Sequence, residues 1–268
     1  MAVRSARLLR ALWAYRGFIA GSVQREFQSR YQNSVLGAVW TVLQPLALIV
    51  VYTVVFATVM RARLPGIDNT FAYSIYLCAG VLTWELFSEI TRRGQTVFID
   101  NANLLKKLSF PRISLPVTVI AGSLVNFAIV FSLFTLFLLL TGNFPGLPFI
   151  AFVPVIAVLV LFAIGLGIAL GILNVFFRDV GQFFTIALQF WFWLTPIVYP
   201  PGILPPRVQE WGWLNPMTPI ITAMQQIFVL GRWPDWASLV PVFIVSLLLC
   251  AWGWGLFRRH SGELVDEL

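Results

Sequence analysis

Few residues in this chain are of a type and spacing that could do acid–base or metal chemistry. Glu85 and Glu89 stand one helical turn apart, with Arg92 and Arg93 just beyond them. Two carboxylates at that spacing could hold a cation. The same stretch sets Glu89 three and four residues from Arg92 and Arg93, the pattern of ion pairs at a helix end, and this second reading is preferred. His260 is the only histidine, and Cys78 and Cys250 lie inside apolar runs with no other ligand near them. Neither a zinc site nor a disulfide framework is expected from such a set. No G-x-x-x-x-G-K-S/T phosphate loop and no H-E-x-x-H pair occurs. The chain is therefore read as no enzyme, with no cofactor or metal of its own, and energy for uphill work must come from another subunit.

The elements that would carry these residues are set by composition. Of 268 residues, 59% are hydrophobic and 11% charged, against roughly 25% charged in soluble domains. The mean hydropathy is +0.85. A bilayer-spanning helix needs about 20 mainly apolar residues, and charge gaps show where such helices fit. No charged residue lies between Arg30 and Arg61, Asp68 and Glu85, or Asp235 and Arg258, and a longer gap over 113–177 is broken by Gly142-Asn143-Phe144-Pro145-Gly146. Together with a further gap from Val180 to Pro206, these predict six spans, at about 35–60, 71–91, 114–141, 148–176, 181–199 and 237–257. The fold class expected is thus all-α integral membrane, with six transmembrane helices. Length leaves no room for a nucleotide-hydrolysing domain as well.

Flanking segments complete the expectation. Residues 1–33 alternate apolar and basic stretches, and Ile19, Val23, Phe27 and Tyr31 recur every four residues opposite Arg25 and Gln28. This predicts an N-terminal amphipathic helix at the interface, with an ordinary helix packed on the bundle as the alternative. No cleavable signal peptide is evident. Residues 200–236 are rich in proline and tryptophan, and Thr218–Leu230 is apolar but too short to cross. That segment reads as a re-entrant or interfacial helix on the periplasmic side, between spans 5 and 6. Gly165, Gly167 and Gly171 permit close helix approach in span 4 or leave it loosely packed.

Orientation follows from lysine and arginine. With the N-terminus inside, 14 of the 18 basic residues fall on cytoplasmic pieces, and only Arg61, Arg63, Arg207 and Arg232 lie outside. Both termini, including the tail 259–268, are expected in the cytoplasm. The formal charge of +7 is spread over short loops and carries no nucleic-acid signal.

Several stretches, taken together and in order, carry a family likeness. They are Arg30-Tyr31-Gln32-Asn33-Ser34-Val35-Leu36-Gly37 with Trp40 and Gln44-Pro45-Leu46; Tyr76 through Trp84; and Asn101-Ala102-Asn103-Leu104-Leu105-Lys106-Lys107 with Phe110-Pro111-Arg112. Asn174 through Val180, Leu194-Thr195-Pro196-Ile197-Val198-Tyr199-Pro200 and Leu214 through Pro219 follow. Over roughly residues 25–230 the chain resembles the ABC-2 type permeases that export polysaccharides, the O-antigen and teichoic-acid subgroup above all. The resemblance implies a homodimer in the bacterial inner membrane with two copies of an ABC ATPase, which binds the ATP and magnesium. It implies a substrate glycan on a polyprenyl-pyrophosphate lipid. Capsule or teichoic-acid export, or export of a small lipid or drug on the same scaffold, is the alternative. An intramembrane glycosyltransferase or acyltransferase would need catalytic acid or histidine sets that are not found. An ion-coupled carrier would show duplicated halves, and none is obvious.

With the resemblance in hand, candidate sites fall in the six-span domain, 34–258, and in the N-terminal segment, 1–33, ahead of it. The 93–112 loop would couple to the ATPase through Asn101, Asn103, Leu104, Leu105, Lys106 and Lys107, in a short helix over 101–108; a solvated basic loop is the alternative. Arg25 and Arg30 would meet the lipid pyrophosphate, since guanidinium forks suit phosphate oxygens; attraction to anionic lipid is the alternative. A glycan path would be lined by Phe183, Phe190 and Trp193 of span 5, by Tyr52 and Phe56 of span 1 and by Trp84 and Phe87 of span 2, each of which could equally be a core or lipid-facing ring. The 200–236 segment would gate the outer end.

Overall fold

The computed structural model describes residues 16–31, 39–59, 64, 67–107, 114–205, 207, 209, 212–260, 263 and 267. Among these residues there is no strand. Helix α1 (Arg16–Tyr31) is followed by α2 (Trp40–Tyr52), which widens into a π-helical stretch over Thr53–Val59. Then come α3 (Ala72–Asp100), the short α4 (Ala102–Lys107) and α5 (Ser114–Leu140). A 3₁₀ turn over Leu147–Ala151 leads into α6 (Phe152–Phe176), and α7 (Asp179–Leu194), α8 (Met217–Leu230) and α9 (Trp236–His260) complete the chain. Among the described residues, Ser114–Leu140, Leu147–Phe176 and Trp236–His260 are each long and apolar enough to cross a bilayer. Val42–Phe56 and Met217–Leu230 are shorter apolar helices.

Two element boundaries differ from the sequence expectation. The second predicted span closes at 91, ahead of the arginine pair, yet α3 runs on to Asp100. Its charges are absorbed locally: Arg92 donates from Nε to the Ser88 carbonyl at 3.1 Å and from Nη2 to the Ser88 hydroxyl at 3.2 Å, and Arg93 pairs with Glu89 at 3.2 Å. The 93–112 segment is therefore helical over its first eight residues, and only Asn101 separates α3 from α4. The fifth predicted span runs to 199, but α7 stops at Leu194. Pro196 has no N–H and drives the residue before it out of the helical region; Thr195 sits at φ −101°, ψ 137°.

Glycines set the packing of the centre. A Cβ built on Gly167 would lie 3.3 Å from the Cα of Gly94, and one on Gly171 would lie 2.5 Å from the Gly94 carbonyl oxygen, so α6 and α3 meet backbone to backbone. On its other side Gly165 would meet the Cys250 backbone nitrogen at 2.9 Å, against α9. The glycine run thus serves close approach on two faces rather than loose packing, as small residues do where lipid supplies no hydrophobic drive. Around this centre Phe87, Phe134, Leu138, Leu159, Met217, Ile220 and Ile227 are fully buried. The short helix α8 supplies Met217, Ile220, Ile221, Met224, Ile227 and Phe228 to this core.

The break after α7 leaves irregular backbone, and side chains satisfy it. Tyr76 donates its hydroxyl to the carbonyls of Pro196 (3.1 Å) and Tyr199 (2.9 Å), Tyr73 to that of Val198 (2.6 Å), and Gln225 donates to Pro196 (3.1 Å). Asn215 accepts from the Trp191 indole at 2.8 Å and donates to the Thr195 hydroxyl at 2.9 Å. The turn predicted at 142–146 also forms, with Gly142 and Gly146 both at φ 72°, a region that only glycine enters freely. At the N-terminal side α1 packs against α5, with Phe18, Ile19 and Val23 half-buried and Gln24, Arg25 and Gln28 exposed. Residues 1–15 and 32–38 lie outside the described residues.

Gly171→Ala is expected to destabilise the purified permease by about 1–3 kcal/mol, because the new methyl meets helix backbone that has nowhere to go. Gly255→Ala, where a Cβ meets nothing within 4 Å, is expected to leave it unchanged or slightly more stable. Thermal unfolding in detergent checks both; equal melting temperatures for the two variants would contradict the backbone contact.

Candidate functional site

α3 and α7 flank a groove whose walls are polar at regular intervals. On α3, Ser88, Arg92 and Gln95 follow one another at four and three residues. On α7, Gln182, Thr185 and Gln189 do so at three and four. These spacings place each trio on one helical face. A cavity of about 860 Å³ at one end of the groove is bounded by Arg92, Arg93, Thr96, Arg178, Gln182 and Thr185. A second, of about 410 Å³, continues past Arg92 and Thr185 to Gln189, Trp84, Phe192 and Trp193. The two share Arg92 and Thr185 and form one trough, charged at one end and aromatic at the other.

Packing beneath the trough fixes its floor. Phe87 is fully buried, stacked on Phe162 at 5.6 Å and edge-on to Trp191 at 5.2 Å. Trp84 meets Trp191 at 6.1 Å and Phe192 at 5.7 Å. These rings pin the short α7 to α3 and α6. The charged end is graded: Arg93 is held by Glu89, whose other oxygen accepts from Asn126 at 2.9 Å, and by Ser123 at 3.3 Å. The Glu89–Arg93 neighbourhood is thus an ion pair. Glu85 forms no ion pair among the described residues and borders a pocket with Glu89, Arg92, Gln44, Asn126 and Trp40. Among the described residues no group of three or more histidine, cysteine, aspartate or glutamate side chains could hold a metal ion.

The expected site residues separate into distinct places. Trp84 and Trp193 border the trough, whereas Phe87 lies wholly beneath it as a core residue. Phe183 and Phe190, 73% and 67% exposed, border neither cavity of the trough. Tyr52 and Phe56 (6.3 Å apart) join Tyr73, 5.1 Å from Phe56, in an aromatic column against the start of α3. On α4, Asn103 and Lys106 are exposed and Leu104 is half-buried, while Leu105 belongs to a core cluster with Val97, Phe98, Leu115 and Ile172. Asn101 donates to the Val97 carbonyl at 2.8 Å and closes α3. The side chain of Lys107 lies outside the described residues, as does that of Arg30. Arg25 is exposed, donates to Ser22 at 3.0 Å, and borders a cavity of about 690 Å³ with Arg93, Asn101 and Leu104. Arg25 and the coupling candidates therefore meet at one place, and Arg93 joins that cavity to the trough.

Sequence reasoning missed the polar residues of the trough: Ser88, Arg92, Gln182, Thr185 and Gln189. A signal existed, since Gln182, Thr185 and Gln189 stand at i, i+3 and i+7 in an otherwise apolar run. At the opposite end, a cavity of about 820 Å³ lies under the 200–236 segment, bordered by Trp191, Tyr199, Asn215, Gln226 and Asp235. The expected gating helix α8 forms one wall of it and is packed into the core.

Known proteins are similar to this chain in sequence over nearly its whole length. The O-antigen export system permease protein RfbA of Myxococcus xanthus is 31% identical over 264 residues, covering 98% of this chain and 99% of that protein. A protein of the same name from Klebsiella pneumoniae is 27% identical over 248 residues, with 91% and 92% covered. The polysialic acid transport protein KpsM of Escherichia coli is 22% identical over 249 residues, with 91% and 93% covered. The family model described as ABC-2 type transporter matches residues 19–229, and the chain belongs to that family of membrane proteins.

Proposed function

We propose that this chain is the permease of an ABC exporter that carries a polysaccharide on a polyprenyl-pyrophosphate lipid across the bacterial inner membrane, with ATP hydrolysed by a separate subunit. The observation that carries the reading is the trough between α3 and α7. Amides and hydroxyls repeat along it at helical spacing, and indole rings close one end. Sugar hydroxyls need such partners at membrane depth, where an unmet polar group is costly, and the C–H face of a sugar ring can lie on the exposed Trp193. The permease names of the full-length relatives support the same reading. An O-antigen-like polymer is favoured over polysialic acid, because the RfbA relatives are more similar to this chain than the polysialic acid transport protein KpsM is.

In this reading the chain crosses the membrane six times with both termini in the cytoplasm. The arginine-bearing end of the trough faces the cytoplasm and its indole end faces outward. A second copy of the chain closes the open side of the trough, meeting the exposed apolar face of α7 formed by Phe183, Ile186 and Phe190. The ATPase docks on the outer face of α4 through Asn103 and Lys106, while Leu105 anchors the helix from below.

The trough gives one prediction. Thr185→Val with Gln189→Leu removes two hydrogen-bonding groups while keeping side-chain volume similar. At about 1 kcal/mol for each group, export is expected to fall at least fivefold, with normal membrane insertion and dimer assembly. Surface glycan is quantified in a strain relying on this permease; undiminished export would count against the trough as the path.

α4 gives another. Asn103→Asp with Lys106→Glu is expected to weaken co-purification of the ATPase at least tenfold and to leave the permease folded. Leu105→Asp instead buries a charge in the core, worth several kcal/mol, and is expected to abolish folded protein. An unchanged ATPase yield with the outer-face double variant would remove α4 as the docking element.

A further inference from the structure

The charged end of the trough is built for more than a charge. Three guanidiniums border the cavity of about 860 Å³, and no acidic side chain does so among the described residues. Glu89 and Ser123 engage Arg93. Arg92 bonds only to Ser88 one turn behind it, and Arg178, exposed at the N-terminal edge of α7, forms no ion pair among the described residues. The volume lies within the range of about 300–1,000 Å³ usual for small-ligand pockets. Arg92 shares a neighbouring pocket with Glu85 and Glu89 but forms no ion pair with either. Two guanidiniums without an ion pair among the described residues therefore face the cavity and match a phosphate or pyrophosphate group, which they can grip through paired N–H donors.

A second observation narrows the ligand. Asn174, 5% exposed, donates its amide N–H to the Gln95 carbonyl at 3.3 Å, while its Oδ1 has no hydrogen-bond partner. Asn174 borders the same cavity. At Gly181 a Cβ would fall 2.9 Å from that oxygen and 2.8 Å from Gln95 Nε2. The glycine therefore lets α7 begin directly against both amide ends, where any other side chain would clash with them. A buried acceptor without a donor carries a penalty of about 1–3 kcal/mol unless something supplies one. A phosphate oxygen cannot, because it is itself an acceptor. A hydroxyl can.

We infer that Arg92, Arg178 and Asn174 form a binding site for a glycosyl phosphate: the guanidiniums take the phosphate oxygens, and the Asn174 Oδ1 accepts a hydrogen bond from a hydroxyl of the sugar attached to it. Resting on the export reading above, this assigns the site to the junction between lipid pyrophosphate and first sugar of the lipid-linked glycan. Gln95 Nε2 stands beside Asn174 Oδ1 as a donor to the same sugar. The phosphate-and-hydroxyl chemistry is shared by phosphatidylglycerol, an ordinary membrane lipid, so the test includes both.

The permease is purified with its ATPase and placed in phosphatidylcholine nanodiscs. Binding is measured for undecaprenyl-pyrophosphoryl N-acetylglucosamine, undecaprenyl pyrophosphate, undecaprenol and phosphatidylglycerol. The glycosylated pyrophosphate is expected to bind at least tenfold more tightly than undecaprenol or phosphatidylglycerol. Arg92→Gln and Arg178→Gln, both at exposed positions, are each expected to weaken it about tenfold, and Arg178→Lys to recover part of the loss. Asn174→Ala is expected to bring the glycosylated and bare pyrophosphates to equal affinity, a preference ratio read only in protein that melts as the wild type does. Unchanged binding in both glutamine variants overturns the site while leaving the export reading intact if the wild type still exports in cells. Phosphatidylglycerol binding as tightly, with the same sensitivity to the variants, makes this a phospholipid headgroup site and overturns the glycan assignment. A wild-type complex that neither binds a polyprenyl pyrophosphate nor exports glycan overturns both.

Discussion

Backbone contact between α3 and α6, at Gly94, Gly167 and Gly171, is the constraint on which the rest of the molecule depends. In lipid, apolar side chains gain little by leaving one hydrocarbon environment for another, so helices are held by how closely their surfaces fit. Three glycines bring two helix axes near enough for main-chain atoms to touch. With α3 fixed on one side of α6 and α9 on the other, Phe87 reaches Phe162 and Trp191, and α7 is drawn onto α3 by its rings. The trough is the space left between α3 and α7 once those contacts are made.

A second constraint shapes the end of the trough away from the arginines. Irregular backbone at membrane depth must find its hydrogen bonds within the protein. The segment after α7 does so through Tyr73, Tyr76, Gln225 and Asn215, which come from α3, α8 and the turn before α8. Ending α7 at sixteen residues is thus tolerated because three elements converge on its break. The same convergence binds α8 into the core, so that segment is structural whatever else it does.

Much of this was legible in the sequence. Apolar length and charge gaps gave the helices over 114–140, 147–176 and 236–260 nearly to the residue, and the turn at 142–146 followed from its glycines. What escaped was of one kind. A charge pair at Arg92 and Arg93 reads as the end of a membrane helix unless the partners one turn back are known, and Ser88 and Glu89 supplied them. Pro196 was visible, but its effect was masked by the apolar residues that follow it. The aromatic residues were legible by type and not by side: nothing in the run from Phe183 to Trp193 says that Trp84 opposes Trp191 while Phe183 and Phe190 border neither cavity of the trough. The polar trio on α7 did carry a period, overlaid by the denser aromatic residues of the same run.

α3 is 29 residues long, about 43 Å at 1.5 Å per residue, well beyond the roughly 30 Å of a hydrocarbon core. Its C-terminal turns lead into α4 through the single residue Asn101, whose side chain ties back to Val97. There is no slack between them. The short helix is thus continuous with one wall of the trough, and the backbone contact at Gly94 is where that long rod bears on α6.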